Sequence, residues 1–234
     1  TSFQSGSVFS TSAVTLNANV SFSTFFSFRM SNPGGIGDND GQGADGMVFV
    51  VQTNSNSVGG AGGGIGYDGV PNSVGIEFDS YDNGPGSGDP DGNHVSIDTN
   101  GSLASGLSSA VSAPDLLNNG NIWYAWVDYD GTSDLLEVRL SSSVTRPAAA
   151  LTSATLDLPS ILGSSNAFVG FTSGTGSGYN DHDLLSWEFR DDYQPVTNPP
   201  THGVPDAGGT FAMLGLAVSA LGFFSRKAVK GAKA

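Results

Sequence analysis

The feature that most constrains this chain is a two-residue apolar period that recurs along most of its length. It runs through VSFSTFFSFRM (Val20–Met30), GMVFVVQT (Gly46–Thr53), SVGIEFDSY (Ser73–Tyr81), HVSID, IWYAWVDYD, LLEVRLS, AFVGFTS and DLLSWEFR. Each run is rich in Val, Phe, Tyr or Trp and is bounded by Gly, Asn, Asp or Pro, the pattern of strands that bury one face. VDYDGTSDLLEV reads as a hairpin with Asp130-Gly131 in its turn. Before residue 205 no segment sustains a helical period, apart from a short turn at LPSILG. Many strands at regular spacing predict an all-β fold, an antiparallel β-sandwich or jelly roll.

Composition supports a packed core and removes several function classes. The chain has 234 residues, 38% of them hydrophobic, with 14 Phe, 6 Tyr and 3 Trp, unlike acidic chains that stay disordered. A length of this order suits one sandwich domain with a tail. The net charge is −14, and Arg226, Lys227, Lys230 and Lys233 supply four of only 8 basic residues. The body before them carries Arg29, Arg139, Arg146 and Arg190, so its field repels phosphates and no nucleic-acid partner is expected. With no cysteine there is no disulfide, thiol catalysis or Cys-ligated zinc.

The texture changes after Asp191. The domain is expected to span residues 1–193, followed by a Pro-rich linker over 194–203 and a terminal segment over 204–234. Residues 207–225 carry no charge, enough for a transmembrane helix, since crossing hydrocarbon takes about 20 residues. The basic tail behind them predicts a cytoplasmic end. VPDAGG (Val204–Gly209), a hydrophobic helix and a basic end resemble the PEP-CTERM class of bacterial sorting signals, in its VPD-G variant. That resemblance implies export, recognition by a membrane exosortase, and a destination at the cell surface or in the extracellular matrix.

The chemistry concentrates in IEFDSYDNGPGSGDPDGNHVSID, Ile76 to Asp98. Glu77, Asp79 and Tyr81 share one face of a strand because side chains alternate. The loop after them brings Asn83 and Asp89 back over that face, and the next strand supplies His94. Crowded carboxylates repel unless a positive charge sits among them. Catalysis, a metal site and solvated loop acidity all account for some of these residues. The solvated loop leaves Glu77 and Asp79 unexplained within an apolar strand, whereas an oxygen-rich set with one imidazole suits Ca²⁺ beside Mn²⁺ or a similar transition metal.

GADGMVFVVQ, GGGIGY, NSVGIEFDSYDN…DPDGNHVSID, WYAWVDYDG and VGFTSGTGSGYNDHDLLSWEF, in that order, resemble the legume-type (L-type) lectin family, whose fold is the concanavalin A-like sandwich. The resemblance covers roughly residues 22–189. It implies calcium-dependent glycan binding without catalysis. Glu77 and His94 would hold the transition metal, Asp79 and Asp89 would bridge both ions, and Asn83 with the Tyr81 carbonyl would complete the calcium site. Asp45 would accept hydrogen bonds from sugar hydroxyls after a cis Ala44–Asp45 peptide. Asn83 would donate to a hydroxyl, Gly63 would offer a backbone N–H, and the Tyr81 ring would face the sugar. Thr175 to Asp183 matches the family's variable loop, with Gly176, Ser177 and Gly178 as further contacts. Mannose- or glucose-type glycans fit the branch that NDHD resembles. Short loops bind single sugars weakly, which favours a homo-oligomer or dense surface display.

Two departures matter. The loop Gly84–Gly88 is slightly longer than the family pattern, which leaves Asp82 or Asp91 as substitute ligands. Only about twenty residues precede Val20, fewer than the family pattern, which is read as an incomplete N-terminus. The main rival is a laminarinase-like glycoside hydrolase, because Glu77-Phe78-Asp79-Ser80-Tyr81-Asp82 approaches Glu-x-Asp-x-x-Glu. The shorter Asp82 ill suits the carboxyl spacing of a retaining pair, and Asn83, Asp89 and His94 have no role there. A structural surface protein without sugar binding is the other rival. GIGYDG (Gly64–Gly69) matches G-x-G-x-x-G but precedes no helix, and His182 reads as a loop-stabilising residue.

Overall fold

Every strand pair in the computed structural model is antiparallel. The structure describes residues 1–16, 18–105 and 110–197. In chain order the strands are β1 (Ser5–Phe9), β2 (Val14–Thr15), β3 (Phe22–Gly35), β4 (Gly37–Asp38), β5 (Gly41–Gln42), β6 (Gly46–Gln52) and β7 (Ser73–Asp79). They continue as β8 (His94–Thr99), β9 (Val111–Ser112), β10 (Trp123–Asp130), β11 (Leu135–Ser141), β12 (Thr152–Thr155), β13 (Asn166–Gly174) and β14 (Gly178–Arg190). A short helix, α1 (Leu158–Leu162), forms at the LPSILG turn, capped by Asp157 and ended by the left-handed Gly163.

Two sheets face each other. A 7-stranded sheet runs β1-β13-β6-β7-β8-β9 with β2 also on β13, and a 5-stranded sheet runs β12-β11-β10-β3-β14. The period-two pattern explains the core between them. Phe22, Phe26, Phe28 and Met30 of β3 point inward and meet Phe49, Phe78 and Phe171 from the other sheet. Phe26 sits edge-on to Phe78 at 5.7 Å and to Phe171 at 4.9 Å, an arrangement that suits the ring quadrupoles.

The opposite phase of the larger sheet is also covered. Val48 and Val50 on its outer face pack with Ile65, Tyr67 and Val70, from the chain between β6 and β7. Gly75 has no side chain because Tyr67 lies over it; a Cβ there would come within 2.8 Å of the ring. All seven residues of β7 are therefore buried, including Glu77 and Asp79. GIGYDG belongs to this covering turn, which is held by bonds such as Ile65 N–H to the Gly62 carbonyl at 2.9 Å.

Several sequence expectations change here. The hairpin between β10 and β11 closes at Asp130 opposite Leu135, so its turn is longer than the Asp130-Gly131 pair, and Asp134 takes the positive φ of 56°. β14 begins at Gly178, so NDHD lies in a strand paired with β3, and only Thr175–Ser177 connect it to β13. His182 is thus a strand residue: Ser173 Oγ lies 2.7 Å from its Nδ1 and ties β13 to β14. The stretch expected as linker starts with docked residues. Gln194 N–H donates to Ser23 Oγ at 3.0 Å, and Val196 is buried with Phe25 and Trp126 on the outer face of the smaller sheet. No helix among the described residues is long and apolar enough to cross a membrane, and the segment 204–234, with its expected span over 207–225, lies outside them.

The aromatic centre carries much of the stability. Phe26→Ala is expected to lower unfolding free energy by about 3–5 kcal/mol in urea denaturation, combining lost burial with a cavity. A loss below about 1 kcal/mol would contradict the packing described for β3.

Candidate metal and carbohydrate site

β7 and β8 pair with Asp79 opposite His94 and Glu77 opposite Ser96, which puts their polar phase on the outer face at one end of the sheet. Ligand atoms of Glu77, Asp79 and His94 lie within 4.8 Å of one another, and all three residues are buried. Asp89 closes the cluster: His94 Nε2 is 3.7 Å from Glu77 Oε2 and 3.8 Å from Asp89 Oδ1. His94 Nδ1 donates to the Asp91 carbonyl at 2.9 Å, which leaves Nε2 to face the carboxylates, the orientation a metal ligand needs.

The added loop length does not displace Asp89. Ser87 N–H donates to the Gly84 carbonyl at 2.9 Å, so the extra residues fold into a turn of their own. Asn83 N–H then donates to Asp89 Oδ2 at 2.7 Å, bringing the loop ends together. Tyr81 N–H donates to Asp79 Oδ1 at 2.7 Å. The two substitute ligands are engaged elsewhere. Asp82 Oδ1 accepts from Gly84 N–H at 2.6 Å, and Asp91 Oδ1 accepts from Asn93 N–H at 2.9 Å while its other oxygen accepts from Ser112.

Charge is the unsolved quantity in this cluster. Arg29, Arg139 and Arg190 belong to the 5-stranded sheet, and Arg146 pairs with Asp128 of the same sheet. Burial, and then the charge of Glu77, holds Asp79 well above the usual carboxylate range and pushes Asp98 to about 9. Burial also raises Asp89, against the Asn83 N–H and the His94 charge, which lower it. For His94 burial disfavours the cation, but the facing carboxylates more than offset it and raise the imidazole above its ordinary value. Glu77 Oε1 is buried and lacks a hydrogen-bond partner. Sequence reading missed Asp98, although His94, Ser96 and Asp98 form a polar phase beside the apolar Val95 and Ile97.

A second group lies beside the first. The Ala44–Asp45 peptide is cis. The Asp45 carbonyl accepts from both the N–H and the hydroxyl of Ser80, each at 2.8 Å, and Asn180 Nδ2 donates to that hydroxyl at 2.8 Å. Asp45 Oδ2 is buried without a partner, and burial raises this carboxyl to about 6 against the Gly176 N–H. A Cβ on Gly176 would sit 3.3 Å from that oxygen, and one on Gly63 would sit 2.8 Å from Asn83 Nδ2. Gly62 N–H donates to the Thr175 carbonyl at 3.1 Å, which links the two glycine segments. Asp45, Gly63, Asn83 and Gly176 thus converge, and Tyr81 is half-buried, its N–H on Asp79. Gly178 does not join: it is buried, and a Cβ there would lie 2.8 Å from Ala44 Cβ. Ser177 is exposed, and its carbonyl accepts from Ile36 N–H at 3.4 Å.

This sandwich and site define a lectin domain. The legume lectin domain model matches residues 1–204, and the chain belongs to that family. Residues 203–228 match the VPDSG-CTERM motif, a C-terminal sorting signal. L-type lectin-domain containing receptor kinase VIII.1 of Arabidopsis thaliana is 33% identical over 180 residues, covering 74% of this chain and 24% of that protein. The seed lectin of Styphnolobium japonicum is 30% identical over 179 residues, covering 72% of this chain and 56% of that protein. The chain therefore spans about a quarter of the kinase and about half of the seed lectin. Among solved structures, basic winged bean lectin with Tn-antigen superposes with a TM-score of 0.64 at 27% identity, covering 80% of each chain. The metal-free form of lectin I-B4 from Griffonia simplicifolia superposes at 0.65 with 25% identity and 81% coverage of each. Family and fold support carbohydrate binding.

The buried acids set a pH dependence. Native Asp79, Asp98 and His94 hold protons at a pH where the unfolded chain has released them, so stability of metal-free protein falls as pH rises. His182, lowered by burial to about 4, acts oppositely only below its ordinary value, so it does not contribute to the window above about pH 7. Melting in EDTA is expected to be lower at about pH 8.5 than at about pH 7, and calcium with manganese is expected to remove that difference. A metal-free melting temperature that climbs over this window would contradict the assignment.

Proposed function

We propose that the chain is an exported lectin that binds glycans through calcium, with Mn²⁺ or a related transition metal beside it. The observation that carries this is the orphaned Asp45 carboxylate oxygen, set between Gly176 and the Gly63–Asn83 contact, next to a buried acid cluster that pairs with no arginine among the described residues.

The residues fit the two ions. Glu77 Oε1 has no partner, and the donor set combines hard carboxylate oxygens with one imidazole nitrogen. Glu77 and His94 would hold the transition metal, Asp79 and Asp89 would serve both ions, and Asn83 with the Tyr81 carbonyl would complete calcium. Bound, the ions supply the positive charge that keeps these carboxylates ionised. The chain's own residues then do the recognition. Asp45 accepts from two hydroxyls, Asn83 donates its amide, and the backbone of Gly63 and Gly176 approaches the ring where a side chain would intrude. The Tyr81 ring covers an apolar face of the sugar, and Ser177 adds a rim contact.

The acidic body favours neutral glycans of the mannose or glucose type over anionic ones. Val204–Gly209 and the following segment would direct the protein through an exosortase to the cell surface or matrix, with the apolar stretch as a membrane anchor before processing. There, dense display or a homo-oligomer would raise avidity. Hydrolysis gains no support from the geometry, because Asp82 turns to the Gly84 amide instead of forming a carboxyl pair with Glu77.

A glycan array with calcium and with EDTA tests the reading: binding that survives EDTA, or a blank array with calcium, defeats it. Asp45→Asn is expected to abolish detectable glycan binding while elemental analysis still finds both metals. Glu77→Gln is expected to lose metal and sugar together.

A further inference from the structure

Between β3 and β6 the chain makes a small hairpin, β4 with β5, that stands apart from both sheets. Its two acids reach opposite ends of the metal loop. Asp38 Oδ2 accepts from Asp82 N–H at 2.7 Å, where the loop leaves β7. Asp40 Oδ2 accepts from Gly92 N–H at 3.0 Å, just before β8 begins at His94. Asp38 Oδ1 also accepts from Asp40 N–H at 2.8 Å, so the Asp38 carboxylate braces the backbone that carries Asp40. Gly92 lies directly against Asp38, since a Cβ there would come within 2.0 Å of Oδ2. The residues between the two anchored amides include Asn83 and Asp89, and Asp91 carries the carbonyl that orients His94.

We infer that Asp38 and Asp40 are positioning residues for calcium, a clamp that fixes the span of the loop from Asp82 to Gly92 before any ion arrives. The inference rests on the metal reading of Glu77, Asp79, Asn83, Asp89 and His94, and assigns no ligand role to the clamp. Its physical basis is preorganisation: a loop with both ends held loses less conformational freedom when it closes on an ion. Two charge-assisted hydrogen bonds to backbone N–H groups are the stronger kind. Asp38 uses both oxygens, so Asn at that position retains one acceptor and breaks the other link.

The test is calcium titration by calorimetry on the full chain, comparing wild type with Asp38→Asn, Asp38→Ala and Asp40→Ala. Asp40 is exposed, so its variant guards against a failure to fold. Calcium affinity is expected to fall by about 10- to 100-fold in Asp38→Ala, the range seen when groups supporting metal ligands are removed, and by less in Asp38→Asn. Glycan affinity at saturating calcium is expected to stay at the wild-type level. In EDTA the Asp82 and Gly92 amides are expected to exchange hydrogen faster in the variants than in wild type. Unchanged calcium affinity in folded Asp38→Ala and Asp40→Ala overturns the clamp. So does a loss that vanishes in about 0.5 M NaCl, which would assign the effect to net charge. Failure of wild type to bind calcium overturns the metal reading itself, a result distinct from wild-type binding with indifferent variants.

Discussion

Glu77, Asp79 and Asp98 lie in one polar layer on the outer face of the larger sheet, each at most 1% exposed, and His94 is the imidazole set among them. Removing several carboxylates from water costs more than their hydrogen bonds return, unless a positive charge joins them. The four arginines of the body are spent on the other sheet, where Arg29 pairs with Asp183, Arg146 with Asp128 and Arg190 with Glu188. The separation of sheets by charge leaves the acidic layer without a cation of its own, which is what the proposed metal site would supply. Burial is what gives it that character. The chain between β6 and β7 lays Tyr67 over Gly75 and closes the outer face, so the acids cannot relax into solvent.

The proposed glycan-binding side grows from the same cluster through short links. Asp79 accepts from Tyr81 N–H, Ser80 between them holds the Asp45 carbonyl, and Asn83 reaches Asp89 while its side chain lies against Gly63. A change in the acid layer therefore reaches Asp45 and Asn83 through one or two bonds. The β4–β5 hairpin adds a second support from outside the sheets, so the loop from Asp82 to Gly92 is held from the strand side and from the hairpin side.

How much of this was legible in sequence differs by element. Strands with a clean apolar phase, such as β3, β6, β7 and β10, could be read because alternation and aromatic content act over several residues. Two-residue strands such as β4, β5 and β9 carry no period and exist only because a neighbour pairs with them. NDHD looked like loop because its composition is polar; pairing with β3 makes it strand. Gln194 to Val196 read as linker because proline and polar residues surround them, yet Val196 finds Phe25 and Trp126. Glu77 and Asp79 were visible as acids in an apolar strand, with Asp89 in the loop after it and the imidazole of His94 beyond. Asp98 was visible in principle through its phase on β8, whereas Asp38 and Asp40 carried no local sign.

The sequence alone determined the sandwich class, the acidic strand and loop, and the sorting motif at the C-terminal end. These depend on periodicity, composition and short-range spacing, which a single chain displays directly. Tertiary structure decided that the acids are buried on both sides, that the long loop folds onto itself so Asp89 keeps its place, and that Gly178 packs inward while Gly176 faces Asp45. It also decided that two aspartates more than forty residues away hold the ends of that loop. Those outcomes depend on which distant segments meet, and a strand's period fixes only the face a side chain takes, not the partner it finds there.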